Sequence, residues 1–330
     1  MLEHDPEKIP DDSWVSGKIR SAIGLRRSLS IPSDSYRLVF SEADSLPGLT
    51  VDLYGRIAVC QFHTAWVDKN KHVILETLNA ELSLEGILEK NDEDIRKAEG
   101  LPAPSPAVLS GKVPDSLIIE ENGLRFEIFP RTGQKTGWYL DQRDSRRLTA
   151  SFAADREVLD CFSNAAGFAA PCLKAGAKSV LRLDSSRPAL DTGTRNLGLN
   201  GLNPSSSPDL CGNAFEELRK FRDRAISFDM IILDPPGLAP TRAGLPKAMR
   251  ALKDLHLLGL KLLRPGGILV SFSCSSAVTR QDLIQSLQWA EQDCGRRTTL
   301  LLDFGQPPDH PRLPGFPPSD YLKGFLGRVP

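Results

Sequence analysis

Hydrophobic positions along the chain recur with two different periods, and the balance between them changes near residue 116. From Asp12 onward, Val15, Ile19, Ala22 and Ile23 fall at helical spacing with Lys18, Arg20, Arg26 and Arg27 around them. Residues 1–10 are polar and read as a frayed tail, so 1–30 is taken as a tail plus a solvated linker helix. Short β-like runs follow at 36–40, 49–54 and 57–62, punctuated by Pro47-Gly48 and Gly55-Arg56, and 73–78 is helical. Pro102, Pro104 and Pro106 remove N–H donors and fix φ, which makes 100–106 a loop. Residues 31–115 thus read as a small α/β domain without obvious chemistry of its own.

A hairpin then turns at Asn122-Gly123 between strands at 116–120 and 124–129 and leads into Gly133-Gln-Lys-Thr-Gly137. Beyond it, strands at 157–161, 179–183, 228–233, 267–272 and 298–304 alternate with helical stretches. Repeated β-α-β units imply a parallel sheet covered by helices on both faces. The expected fold class is α/β, with this sheet in a domain spanning 116–330.

Composition narrows the function classes. At 330 residues there is room for one large domain and a smaller one. A net charge of -1 argues against a general nucleic-acid coat, although a local basic face is still allowed. No apolar run approaches the roughly 18 residues of a membrane helix, and the acidic start lacks the features of a signal peptide. Cys60, Cys161, Cys172, Cys211, Cys274 and Cys294 include no C-x-x-C pair, which fits reduced thiols in a cytoplasmic protein rather than disulfides or a metal site.

Candidate chemistry lies where strands end, because ligands of open α/β sheets sit beyond the carboxyl ends. The first strand ends in Asp160-Cys161-Phe162-Ser163-Asn164-Ala165-Ala166-Gly167, whose small residues let backbone approach a ligand. It is not a G-x-G-x-x-G fingerprint. Asp184 ends the next strand, where an acid takes both ribose hydroxyls of an adenosine cofactor; its plain alternative is the N-cap of the following helix. Asp234-Pro235-Pro236 ends an apolar strand with a stiff, acceptor-rich edge suited to an exocyclic amino group of a base. Cys274 sits at the tip of the following strand, in Ser273-Cys-Ser275, and needs local activation to act as a nucleophile. Cys161 is assigned to packing.

These residues together resemble the bacterial and archaeal ribosomal RNA cytosine-C5 methyltransferases that join a PUA domain, a central domain and a Rossmann-like methyltransferase domain. The likeness starts near Trp14 and includes residues 42–55, Gly133-Gln-Lys-Thr-Gly-Trp-Tyr-Leu-Asp-Gln-Arg143, Asp234-Pro-Pro236, Ser273-Cys-Ser275 and Pro308-Asp-His-Pro311. The run 133–143 is its most specific part. The resemblance implies S-adenosylmethionine as cofactor, with Gln134, Lys135, Thr136 and Asp141 at its methionine end. It implies Asp160, Phe162 and Gly167 beneath the cofactor, Asp184 at the ribose, Asn213 at the adenine amino group, and Asp234 with Pro235 beside it. The implied substrate is cytosine in large-subunit ribosomal RNA, met within an assembling particle. Arg143, Arg146 and Arg147 are the expected phosphate contacts, and the basic residues of the first helix are a second RNA-facing candidate. The chain departs from the family in three ways. Only residues 1–13 precede the match, so a PUA domain is not expected in this chain; Ala166-Gly167 replaces Gly-Gly; and Asn213 replaces the commoner Asp.

The expected mechanism uses Cys274 to add to cytosine C6, with Asp234, protonated when the base binds, holding the N3 and N4 edge. Asp234 or a water molecule would take the C5 proton. Two rivals stand beside it. A guanine N-methyltransferase on the same scaffold needs no thiol, and a catalytically inert RNA- or ribosome-binding module needs no cofactor. An NAD oxidoreductase would leave Asp234-Pro235-Pro236 unexplained.

Overall fold

The computed structural model describes residues 10–102, 106–239 and 241–330. Residues 1–9 of the expected tail at 1–10 and the centre of the 100–106 loop therefore lie outside the described residues. The chain forms two compact units, Met1–Asp141 with Pro307–Ser319, and Gln142–Gln306 with Asp320–Pro330.

The first unit begins with α1 (Asp12–Ser28), capped by Asp11, whose carboxylate accepts from Trp14 N–H at 2.8 Å. Trp14, Val15, Ile19, Ala22 and Ile23 are buried in the same apolar cluster as Leu38, Val51 and Ile74. The helix is thus part of this core, not a solvated linker, because its helical spacing supplies a complete apolar stripe. Five strands follow: β1 (Ser35–Phe40), β2 (Leu49–Tyr54), β3 (Ile57–Phe62), β4 (Gly86–Glu89) and β5 (Ala107–Gly111), paired in that order. The helices α2 (Ala65–Lys69), α3 (Lys71–Glu81) and α4 (Glu93–Ala98) punctuate them, and α1 packs on α3. A hairpin of β6 (Leu117–Glu121) and β7 (Leu124–Ile128) turns at Asn122-Gly123, both at positive φ, as a primed turn requires. The sequence boundary at 115 therefore moves to Asp141. The hairpin joins this unit through the Ser33–Glu121 bridge and the bond from Asp34 N–H to the Glu120 carbonyl. Arg26 ties segment 307–319 into the same unit. Its guanidinium is buried, pairs with both carboxylate oxygens of Asp44 and donates to the Asp309 carbonyl at 2.9 Å.

The second unit starts with α5 (Arg143–Ala150) and continues through β8 (Glu157–Cys161), α6 (Ala169–Lys174), β9 (Ser179–Asp184) and α7 (Arg187–Leu199). It then runs through β10 (Asp209–Cys211), α8 (Ala214–Asp223), β11 (Phe228–Leu233), α9 (Leu245–Leu262), β12 (Leu263–Ser273), α10 (Arg280–Cys294), β13 (Thr299–Phe304) and β14 (Lys323–Val329). The strands pair in the order β10-β9-β8-β11-β12-β14-β13. The first five are mutually parallel, as the β-α-β pattern predicts. The last pair departs from it: β14, unpredicted from sequence, inserts antiparallel between β12 and β13. Gly324 permits this, because a Cβ there would lie 2.4 Å from Phe272 Cδ1 and 2.9 Å from the Ser271 carbonyl oxygen. Parallel Leu159, Ile231 and Leu269 form the core beneath α8, α9 and α10. Among the described residues no helix is long and apolar enough to cross a membrane.

Replacing glycine by alanine in an unstrained strand usually stabilises by reducing unfolded-state freedom. Gly324→Ala should do the opposite and cost about 1–3 kcal/mol, the range for overpacking. A lower urea midpoint than that of the parent chain checks it, and an unchanged or higher one contradicts the proposed tightness of the β12–β14 contact.

Candidate active site

The second unit gathers its polar residues at the carboxyl ends of β8, β9, β11 and β12. Asp160, in β8, is fully buried, and burial pushes its carboxyl up to about 7. Its Oδ2 accepts from Ser163 Oγ at 2.7 Å, while its buried Oδ1 has no hydrogen-bond partner. The chain then turns sharply, with Phe162, Asn164 and Ala166 at φ of +62°, +48° and +65°. This turn delivers the Asn164 N–H to Asp184 Oδ2 at 2.9 Å, and the Ser186 N–H reaches Asp184 Oδ1 at 2.8 Å. Asp184 is therefore not the cap of α7; Ser186 caps it by accepting from Ala189 N–H. The carboxylate instead links the ends of two neighbouring strands. Ala166 adopts a backbone conformation that favours glycine. A Cβ on Gly193 would lie 2.4 Å from the buried Arg182 Nη1 and 3.2 Å from the buried Ala166 methyl, so glycine at 193 leaves room for both. Gly167, next to Ala166, is half-buried. Burial pushes the Cys161 thiol up, consistent with packing.

Asn213 caps α8, its Oδ1 accepting from Phe215 N–H at 2.9 Å. One lone pair of the oxygen expected at adenine is thus already used, leaving the other. Phe215 meets Phe162 edge-on at 6.5 Å. At the end of β11, the half-buried Asp234 accepts from Gln142 Nε2 through Oδ1 at 3.1 Å, and Pro235 beside it is buried. β11 and β12 are adjacent and parallel, with Leu233 opposite Ser271. The Leu238 and Ala239 N–H groups both donate to Ser275 Oγ, at 2.8 and 3.1 Å. Ser275 therefore clamps the segment after Asp234 to the one that carries the half-buried Cys274. Sequence reasoning missed the roles of Gln142 and Ser275. Both lie inside motifs, but neither residue type signals a tie between strands.

The run 133–141 belongs to the first unit, where its polar groups serve the framework. The Trp138 N–H donates to Tyr54 Oη at 3.1 Å, the Tyr54 hydroxyl lies 2.8 Å from Thr136 Oγ1, and Thr136 donates to Asp52 Oδ2 at 2.5 Å. Arg37 completes the chain by pairing with both Asp52 oxygens at 2.8 Å. Each group passes its bond toward the carboxylate, so the buried Thr136 hydroxyl is committed inside its own unit. Lys135 pairs with Asp141 at 2.6 Å and lies over the Tyr139 ring, while Gln134 accepts from the Tyr139 hydroxyl.

Two of the three expected phosphate contacts do not face solvent. Arg143 and Arg146 are buried on α5 and only Arg147 is exposed. Ser145, Arg146, Thr149 and Ala150 define the buried helix face at i, i+1, i+4 and i+5, with Arg143 at one edge of it and 147 just beyond that edge.

The model of the S-adenosylmethionine-dependent methyltransferase family matches residues 98–325. The chain belongs to that family. It is 40% identical to the ribosomal RNA large subunit methyltransferase I of Pseudoalteromonas atlantica over 89% of this chain and 74% of the relative. It is 37% identical to the protein of the same name from Cronobacter sakazakii, over 98% and 83% of the two chains. A candidate SAM-dependent methyltransferase from Streptococcus mutans shares the fold at a TM-score of 0.86 and 22% identity, covering 98% of this chain and 84% of that one. A methyltransferase structure containing S-adenosylhomocysteine overlays at a TM-score of 0.87, with the same identity and coverage. The enzyme uses S-adenosylmethionine, and its strand ends fit such a ligand: the Asp160 Oδ1 awaits a donor, and the half-buried Gly167 carries no side chain to block an approach to its backbone.

Asp160 makes the stability of this methyltransferase pH-dependent. Its folded pKa of about 7 stands above the unfolded value of about 3.9. The folded state thus binds more protons between those values, and stability falls as pH rises from about 4 to about 7. Asp160→Asn removes that penalty. Without cofactor, its urea stability relative to the parent should improve by a few kcal/mol between pH 4.5 and 8, and a pH-independent difference would refute the assignment.

Proposed function

We propose that this methyltransferase forms 5-methylcytosine in large-subunit ribosomal RNA, with Cys274 as the nucleophile. The substrate class follows the names of the Pseudoalteromonas and Cronobacter relatives. The observation that carries the chemistry is the Ser275 clamp, which joins the Asp234 and Cys274 segments at the ends of neighbouring parallel strands.

Cytosine C5 is too weak a nucleophile to take a methyl group unaided. The Cys274 thiolate adds to C6, and the displaced C5–C6 electron pair makes C5 nucleophilic. S-adenosylmethionine supplies an electrophilic methyl group when bound. After C5 is methylated, its proton passes to a base, Asp234 or a water molecule, and the returning electrons expel the thiolate from C6. Asp234 meets the N3 and N4 edge of the base while Gln142 holds its Oδ1. Toward the cofactor, Asp160, Phe162 and Gly167 form the floor, Asp184 takes the ribose, and Asn213 uses its remaining lone pair at adenine. Gln134, Lys135 and Asp141 are the candidates for its methionine end. Arg147 is the exposed candidate for phosphate.

Cys274→Ala should abolish methyl transfer to ribosomal RNA without weakening S-adenosylhomocysteine binding, as read by calorimetry. RNA containing 5-fluorocytosine should trap a covalent adduct with the parent enzyme and not with the variant. Substantial turnover by Cys274→Ala would remove the cytosine mechanism in favour of guanine N-methylation. Asp184→Ala should cost about 1–3 kcal/mol of cofactor affinity, the range for leaving a hydrogen-bond partner unsatisfied; unchanged calorimetric affinity would displace Asp184 from the site.

A further inference from the structure

A thiol at a strand end is mostly protonated at neutral pH, so the mechanism needs a group that favours the thiolate. β14 brings one. Its register sets Lys323 opposite Ser273, the residue before Cys274. Lys323 is 7% exposed, and its ammonium makes a single hydrogen bond among the described residues, to the Ser275 carbonyl at 3.3 Å. It forms no ion pair there. A buried ammonium with one neutral acceptor is costly, and an apolar side chain would serve packing better.

The charged groups around it come from every neighbouring element. They are Asp320 in the segment before β14, Cys274 beyond β12, and Arg280 and Asp282 in the first turn of α10. Arg280 is already committed to Asp303 and to the Phe304 and Gly324 carbonyls, and Asp282 to the capping box of α10. Lys323, opposite Ser273 and bonded to the Ser275 carbonyl, is therefore a cation with donors to spare that flanks Cys274.

We propose that Lys323 is the positioning residue that holds Cys274 as a thiolate, by taking its proton and standing beside it as an ammonium. The S–H bond breaks as an N–H bond forms on Nζ, with no net change in charge. The proton stays on Lys323 while sulfur is bonded to C6, and expulsion of the thiolate restores the same ion pair. Each turnover thus starts and ends with the pair unchanged. Burial lowers the Lys323 pKa, while the charges of Asp320 and then Cys274 oppose that shift. The proposal rests on Cys274 being the nucleophile.

The test reads the thiol directly, without RNA. In the full chain carrying Cys211→Ser and Cys294→Ser, the other cysteines besides Cys274 are buried. Iodoacetamide alkylation of Cys274 is followed by mass spectrometry from pH 5.5 to 10. The expected midpoint lies below the value of about 8.5 for an unperturbed thiol. Lys323→Met should raise it by about one unit, a tenfold loss of thiolate near neutrality, and Lys323→Arg should restore part of the shift. S-adenosylhomocysteine binding verifies that each variant is folded. Should Lys323→Met fail to fold, Lys323→Gln and the parent midpoint decide. A parent midpoint at or above 8.5, or one unmoved by the folded variant, overturns the proposal. With Cys274→Ala inactive, an unmoved midpoint removes only the role of Lys323. An active Cys274→Ala removes the nucleophile reading, and the role of the pair with it.

Discussion

Two backbone N–H groups converging on one serine hydroxyl hold the proposed reaction centre together. Loops at the end of a parallel sheet leave their backbone donors without ladder partners, and a buried donor must find an acceptor. Leu238 and Ala239 find theirs in Ser275, which binds the exit of β11 to the exit of β12. Asp234 and Cys274 thereby share one rigid edge rather than riding on separate loops. Gln142 adds a tie on the other side of Asp234, so both proposed reacting groups are held by neighbours that do no chemistry themselves.

The same economy recurs around the cofactor segment. Asp184 spends both oxygens on N–H groups from two strand ends, and so determines the path of the tight turn after β8. That turn holds three non-glycine residues in left-handed conformations, a strain that the buried surroundings must over-determine. Gly193 on α7, where helix propensity alone would favour alanine, leaves room first for the buried Arg182 guanidinium and then for the Ala166 methyl.

β14 gives the sheet its final form. The chain leaves the second unit after Gln306, contributes 307–319 to the first, and returns to insert a strand between β12 and β13. In the first unit, Asp309 supplies the carbonyl that Arg26 needs, and its carboxylate accepts from Arg37 N–H at 3.0 Å. In the second, Gly324 lets β14 press against Phe272 and sets Lys323 beside Ser273. A peripheral strand thus brings a buried cation to the tip of β12.

The sequence by itself determined the repeated β-α-β order, the positions of β2, β3, β8 and β11, and the hairpin turn at Asn122-Gly123. Local periodicity and turn chemistry dictate these features, and both are readable within a short window. It did not determine that α1 is core, that the first unit runs to Asp141, or that β14 lies inside the sheet. Each depends on partners distant along the chain: Val51 and Ile74 for α1, Ser33 for the hairpin, Phe272 for β14. Among the site residues, motif content marked Asp160, Asp184, Asp234 and Cys274. Only the fold decided that Arg143 and Arg146 face inward, that the Thr136 hydroxyl is spent on Asp52, and that Asn213 Oδ1 caps α8. Residue type states which bonds a side chain can make; which of them it makes depends on what the fold places within about 3 Å.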